Sequence, residues 1–361
     1  PGKDPAHNTI FLLTLAAVIQ AVDNYQQLLR ATVATAGNDL RLGANEAPPA
    51  IISIFLGDEL EAVRQAIVSG ESSTAAAEVV MDLGSDVLPH LSQDTTDRNR
   101  TSPFAFTGNR FEFRMPGSSV NLSSCNTVIN TAVAKSFKEY ADILEKADDA
   151  EAAALDICKR VFKEHERIIF NGNGYSEEWE QEAARRGLAN DKNTPDAMGA
   201  YIAQDNIDLF EEFGVMSEAE TRARYDVKMG IYAKMLNIEA LTMLDMAGKQ
   251  ILPAVLAYSG DVASTAATKA SVSSAISIKA ETELLDVLAA GADAISDGLA
   301  ALKAAREEAS AVAGDAEQAF AYRDKVLPAM TQLRKAADEM ELVVAKDYWP
   351  FPTYNDMLFY V

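Results

Sequence analysis

The chain is short of several residue types, and each shortage closes off a class of function. Only two cysteines, Cys125 and Cys158, occur in 361 residues, so neither a disulfide framework nor a cysteine-rich zinc site is available. Histidine is nearly as scarce: His7, His90 and His165 have no metal-ligand spacing, and His165 falls in an acidic helical stretch where a surface position is expected. Lys and Arg number 32 against 54 Asp and Glu, for a net charge of -22. That balance argues against a general nucleic-acid binder, because phosphate backbones demand clustered cations. The apolar run from Ile10 to Ile19 is too short to span a bilayer, and polar residues resume at Gln20 and Asp23. There is no glycine loop of the dinucleotide or Walker type and no Gly-x-Ser-x-Gly elbow. A starting methionine is missing too; Pro1-Gly2-Lys3-Asp4-Pro5 reads as a chain entered partway, without a secretory leader, and a cytoplasmic setting is expected. Any enzyme here must work with carboxylates, arginines and bound metal.

What is present begins with a hydrophobic content of 48%, ample for a core, and a length that suits two domains. Residues 8 to 34 carry apolar positions at helical spacing, with Asn8 as N-cap. From Ala36 to Leu56, Gly37, Gly43 and Pro48-Pro49 predict a loop. A helix over 58–70, strands around 103–115 and a helix from Ser123 to Leu144 follow. From 145 to 345 the pattern is almost wholly helical, with loops expected at 171–174, 190–195 and 258–275. Leu288, Ala292, Ile295, Leu299 and Leu302 step by four and three, as do Val326, Met330, Leu333, Ala337 and Met340. With a break near Gly314, this predicts a long antiparallel helical hairpin. The aromatic, proline-rich tail from Lys346 is expected to be extended and docked on a surface. The chain is therefore expected to be α+β and predominantly helical, dividing into residues 1–145 and 146–361.

Two stretches hold the candidate chemistry. Between Asp97 and Pro116 stand Arg98, Arg100, Arg110 and Arg114 with one acid, Glu112. Strand alternation puts Phe111 and Phe113 on one face and Glu112 and Arg114, with Arg110 in phase, on the other. Such a face is either a salt-bridge ladder or an anionic-substrate site, the acid holding a metal and the arginines holding phosphate or carboxylate oxygens. Arg41 and Glu46 flank Gly43-Ala44-Asn45 in the expected loop, as turn decoration or as a substrate clamp and general base.

These blocks resemble glutamine synthetases of the large type III class. Asn38-Asp39-Leu40-Arg41 through Glu46-Ala47-Pro48 looks like the substrate-arginine and flap-glutamate block. Arg98-Asn99-Arg100, then Phe111 to Pro116, looks like the arginine and metal-glutamate block. Thr101 to Gly108 and Tyr348 to Tyr354 are similar to type III sequences in particular. The resemblance implies that 1–145 is the C-terminal part of the catalytic domain and 146–361 the helical extension.

It also implies amide synthesis in two steps: ATP phosphorylates glutamate, and ammonia displaces phosphate. By the match, Arg41 would hold glutamate, Arg100 the transferred phosphoryl group and Arg110 the nucleotide phosphates. Glu112 would ligate Mg2+ or Mn2+, Arg114 would contact the reacting carboxylate, and Glu46 would shield the intermediate and accept a proton from ammonium. A homo-oligomer of stacked rings, dodecamer-like, is implied as well. Pro103-Phe104-Ala105-Phe106 stands where the family's second arginine is usual, and most metal ligands would precede Pro1; the chain alone is expected to be inactive. The competing expectations are a ligase that joins glutamate to a larger amine, and a helical scaffold without catalysis.

Overall fold

The computed structural model describes residues 5–44, 47–70, 80–81, 91–92 and 101–358. They pack as two compact units, 1–225 and 226–361.

In the first unit, helix α1 (Thr9–Asn24) is buried on most of its circumference, from Leu12 and Leu15 to Ile19 and Val22. Asn8 caps it, accepting from the Phe11 N–H at 3.0 Å. The single helix expected over 8–34 is interrupted at Tyr25 and resumes as α2 (Gln26–Thr32). Residues 36–41, expected as loop, instead form helix α3 (Ala36–Arg41), because the Thr35 hydroxyl accepts from the Asn38 N–H and starts a turn despite Gly37. Strand β1 (Ile54–Phe55) follows, then α4 (Asp58–Ser69), entered through Gly57 and closed by the left-handed Gly70.

Strands β2 (Val80–Met81) and β3 (Leu91–Ser92) pair antiparallel. Strands β4 (Phe104–Phe106) and β5 (Phe111–Phe113) form the expected antiparallel hairpin, and β4 pairs parallel with β1. Helices α5 (Ser123–Leu144) and α6 (Ala150–Glu164) both pack on α1. So much burial of α1 requires its polar groups to be satisfied from these neighbours. Tyr140 Oη on α5 donates to Gln20 at 2.8 Å, and Gln20 donates to Glu139 at 2.7 Å. Three short helices complete the unit: α7 (Glu177–Arg185), α8 (Thr194–Met198) and α9 (Gln204–Glu212). The composition change at 145 thus precedes the packing boundary at 225.

Helix α10 (Glu218–Met246) carries the chain into the second unit and passes through a π-helical turn into α11 (Leu252–Val272). The loop expected over 258–275 is a correction: the helix runs to Val272, held by its packing on α12 (Lys279–Ser310). After Gly314, at φ +90°, α13 (Asp315–Ala321) and a second π-helical turn lead into α14 (Leu327–Glu341). Leu288, Ala292, Ile295 and Leu302 are buried, as are Val326, Met330, Leu333, Ala337 and Met340, and α12 packs on α14, so the expected hairpin forms; Leu299, expected in the seam, is half-buried and lies against Gly248 instead. Its contacts run antiparallel: Gly291 faces Met340, and Gly298 faces Leu333. The tail does dock, with Tyr348 5.1 Å from the Tyr258 ring and its hydroxyl on Asp261. It is not extended throughout, since Tyr354–Leu358 forms α15. Among the described residues no helix is long and apolar enough to cross a membrane.

Candidate functional site

Alternation along β5 sorts its side chains as strand geometry requires. Phe104, Phe106, Phe111 and Phe113 cluster on one face, with ring centroids 5.2 to 5.9 Å apart, and Phe11 of α1 closes over Phe106. Gly108, at φ +88°, makes the turn, and Thr107 N–H donates to the Arg110 carbonyl at 2.9 Å.

The opposite face carries the charges. Glu112 Oε2 accepts from Arg114 Nη2 at 3.0 Å and Nε at 3.2 Å, while Oε1 accepts from Arg110 Nη2 at 3.3 Å. The Arg114 hydrogen bond, with Arg110 adding to it, holds the Glu112 carboxyl below its ordinary range. Arg110 is the exposed member and Arg114 the more sheltered one.

Arg41 arrives at the end of β5 from α3. Its Nη1 donates to the Met115 carbonyl at 3.0 Å and to Asn38 Oδ1 at 3.2 Å, and its Nη2 to the Arg114 carbonyl at 3.0 Å. Asn38 is buried and donates to the Met115 carbonyl at 3.1 Å and the Val33 carbonyl at 2.8 Å. These bonds fix the guanidinium but use only part of its donor fork. Among the described residues, Nε–H and the second Nη2–H remain to meet a carboxylate.

Asp39, next to Asn38, faces the other way. Its Oδ2 accepts from Thr194 N–H at 2.6 Å and its Oδ1 from Arg30 Nη2 at 3.2 Å. Arg30 is 2% exposed and also donates from Nε to the Asp191 carbonyl at 2.9 Å. Burial pushes the Asp39 carboxyl up, against the opposing pull of Thr194 and Arg30, and burial lowers the Arg30 guanidinium.

The structure therefore brings Arg41, Arg110, Glu112 and Arg114 together around β5 and the residues that follow it. Glu46 and Arg100 lie outside the described residues, as does Arg98. Asn38 and Asp39 had no role by sequence; their place on a capped helix three and two residues before Arg41 was hidden by the expectation of a loop.

His165 corrects the surface expectation. It ends α6 and puts Nδ1 2.7 Å from Asp23 Oδ2, with the Asp23 carboxylate 3% exposed and also bound by Arg167 at 2.9 Å. Cys125 and Cys158 are buried packing groups, and burial pushes the Cys158 thiol up to about 12.

Mg2+ takes six oxygen ligands in octahedral geometry, with one or two protein carboxylates completed by water and substrate phosphates. Glu112 offers one carboxylate, already engaged by two guanidiniums. Among the described residues no group of three His, Cys, Asp or Glu is placed to hold a metal. The described residues alone do not fit a metal centre.

Comparison with known proteins agrees with the sequence blocks. Residues 153–270 match the glutamine synthetase C-terminal domain. Over 99% of its length the chain is 40% identical to a glutamine synthetase of Butyrivibrio fibrisolvens and 38% identical to a type-3 glutamine synthetase of Dictyostelium discoideum. A glutamine synthetase of Bacteroides fragilis is 36% identical over the same share. The chain spans about half the length of these relatives, 51%, 50% and 51% respectively.

Proposed function

Because the chain is homologous to glutamine synthetases along nearly its whole length, a type-3 enzyme among them, we propose that it is part of an ATP-dependent ligase that joins ammonia to glutamate. Residues 1–145 carry the C-terminal part of the catalytic domain on this reading, and 146–361 the helical extension. The observation that supports it most directly is the mounting of Arg41. Among the described residues its three hydrogen bonds leave one edge of the fork open, an arrangement that suits a carboxylate-binding arginine and that a surface arginine does not need.

The chemistry balances in two steps. A γ-carboxylate oxygen of glutamate attacks the terminal phosphorus of ATP, and ADP leaves. Ammonium gives up a proton to Glu46, the resulting ammonia attacks the carbon of the γ-carboxyl group, and inorganic phosphate leaves as the amide nitrogen sheds its extra proton. Phosphoryl transfer depends on positioning and charge neutralisation, which arginines supply. Arg41 and Arg114 bind glutamate, the latter near its reacting end; Arg100 meets the transferred phosphoryl group and Arg110 the nucleotide phosphates. Glu112 is assigned to Mg2+ or Mn2+ as one ligand, and no step is routed through a site that one carboxylate does not make. The active enzyme is a homo-oligomer on this reading, and this chain by itself is inactive.

The test is phosphate release from ATP by the full-length protein, with glutamate and ammonium varied independently. Release that needs both supports the ligase. Release with an alkylamine but not ammonium moves the assignment to a glutamyl-amine ligase. No release from folded full-length protein leaves the β5 charges as a structural ladder and the protein as a scaffold.

A further inference from the structure

Helix α3 is only six residues long, yet it is fastened on two sides. Asn38 and Arg41 tie it to the carbonyls of Arg114 and Met115. Asp39 ties it to Arg30 and to the N–H of Thr194, a residue of the matched C-terminal domain 155 positions away in sequence. Such a short helix has little stability of its own, so its orientation is set by what it is fastened to.

We propose that Asp39 is a positioning residue for Arg41, and that the 191–194 segment of the C-terminal domain fixes the glutamate-binding arginine through it. This rests on the assignment of Arg41 to glutamate. Three features of the contact support a role beyond packing. The Asp39 carboxylate is held at both oxygens, by Thr194 N–H and by Arg30. Arg30 is itself anchored to the same segment through the Asp191 carbonyl. Finally, Asp39 lies two residues from Arg41 on one rigid turn, so a shift of the carboxylate is passed to the guanidinium. An arginine that binds substrate and transition state alike sets KM more than kcat. Displacing it should therefore show first in the glutamate KM.

Two variants of the full-length protein test this. Asp39→Asn is isosteric and weakens the pairing with Arg30. Thr194→Pro removes the N–H donor without altering any charge. Position 194 opens α8, where proline is tolerated, and the preceding Asn193 is already extended, at φ −131° and ψ 161°. The substitution also removes the buried Thr194 hydroxyl, which pulls on the same Asp39 carboxylate as the N–H, so both effects act on the one contact under test.

The expected result is a rise of about tenfold in glutamate KM in both variants, the lower end of what losing an orienting partner costs at metal sites, with the ATP KM unchanged. Unchanged glutamate KM in the variants overturns the proposal, whether or not the melting temperature falls. Glutamate and ATP KM rising together overturns it as well, because that marks a general disturbance. Failure of both variants to fold assigns the contact to the fold alone and also overturns it. Absence of glutamate-dependent turnover in the unsubstituted protein refutes the ligase reading and this inference with it; normal turnover with unaffected variants refutes this inference only.

Discussion

Asn38 and Arg41 share one acceptor: the Met115 carbonyl receives Asn38 Nδ2 at 3.1 Å and Arg41 Nη1 at 3.0 Å. One turn of helix separates the two donors, so they reach the same oxygen from the same face. Asn38 Oδ1 accepts from Arg41 in turn, which closes the arrangement.

Replacing Asn38 with Ala removes both amide donors and the acceptor. Met115 keeps Arg41, but the Val33 carbonyl loses its side-chain donor inside the protein. Leaving a buried acceptor unpaired costs about 1–3 kcal/mol. Urea unfolding of Asn38→Ala should show a loss in that range. A loss below about 0.5 kcal/mol, the level of ordinary surface substitutions, would show that the amide does not hold α3.

Glu112 gives a pH signature whose sign is fixed by its depressed carboxyl. A carboxyl lowered on folding contributes stability that is present above its unfolded value, near 4.5, and is lost as pH falls through the folded value. The stability difference between the native chain and Glu112→Gln should thus hold at neutral pH and vanish below the folded value. Arg114 is the larger cause, so Arg114→Ala should return the Glu112 titration toward 4.5 further than Arg110→Ala does. Side-chain carboxyl NMR reads this directly, and the reverse order would contradict the hydrogen-bond assignment.

Two glycines in the helical unit should respond differently to alanine. Gly260 lies within α11 with nothing within 4 Å of an added Cβ, so Gly260→Ala should stabilise by about 1 kcal/mol through helix propensity. Gly298 sits at the α12–α14 seam, where a Cβ would meet Leu333 Cα at 3.2 Å and Leu333 Cδ1 at 3.1 Å. Overpacking costs about 1–3 kcal/mol, enough to cancel or exceed the propensity gain. Thermal melts should rise for Gly260→Ala and not for Gly298→Ala; a rise in both would mean that the hairpin seam yields.

Most of the hairpin seam and the Phe111–Phe113 alternation were legible in the sequence because each follows a local period, kept by burial in the seam and by ring packing on Phe104 in the strand. Helix α3 was not. Gly37 and the prolines beyond it read as breakers, and what overrides them is a cap at Thr35 plus bonds from Asn38 and Asp39 to Met115 and Thr194, 77 and 155 positions away. The part of helix α11 from Tyr258 onward was missed for a similar reason: its Gly, Ser and Thr residues are weak helix formers, and packing on α12 decides. The chemistry of the site was legible as residue types and order. Its geometry was not, since the partners of Arg41 include two backbone carbonyls, which no side-chain pattern announces.

The Asp23 cluster shows how distance in sequence conceals a buried charge. His165 stands in a run of acids and looks solvated, yet its partner lies 142 residues earlier, on the buried side of α1. Asp23 is 3% exposed, and His165 and Arg167 supply its close hydrogen bonds, with Gln26 at the longer 3.4 Å. Either side chain alone still gives the carboxylate a hydrogen-bond partner, so His165→Ala and Arg167→Ala singly should each be moderate. The double variant strands a buried carboxylate, and breaking a buried pair in that way costs about 3–5 kcal/mol. The double-mutant cycle should therefore be more than additive. Strictly additive losses would mean that water reaches Asp23 when the first partner is removed, and that the cluster is a surface feature after all.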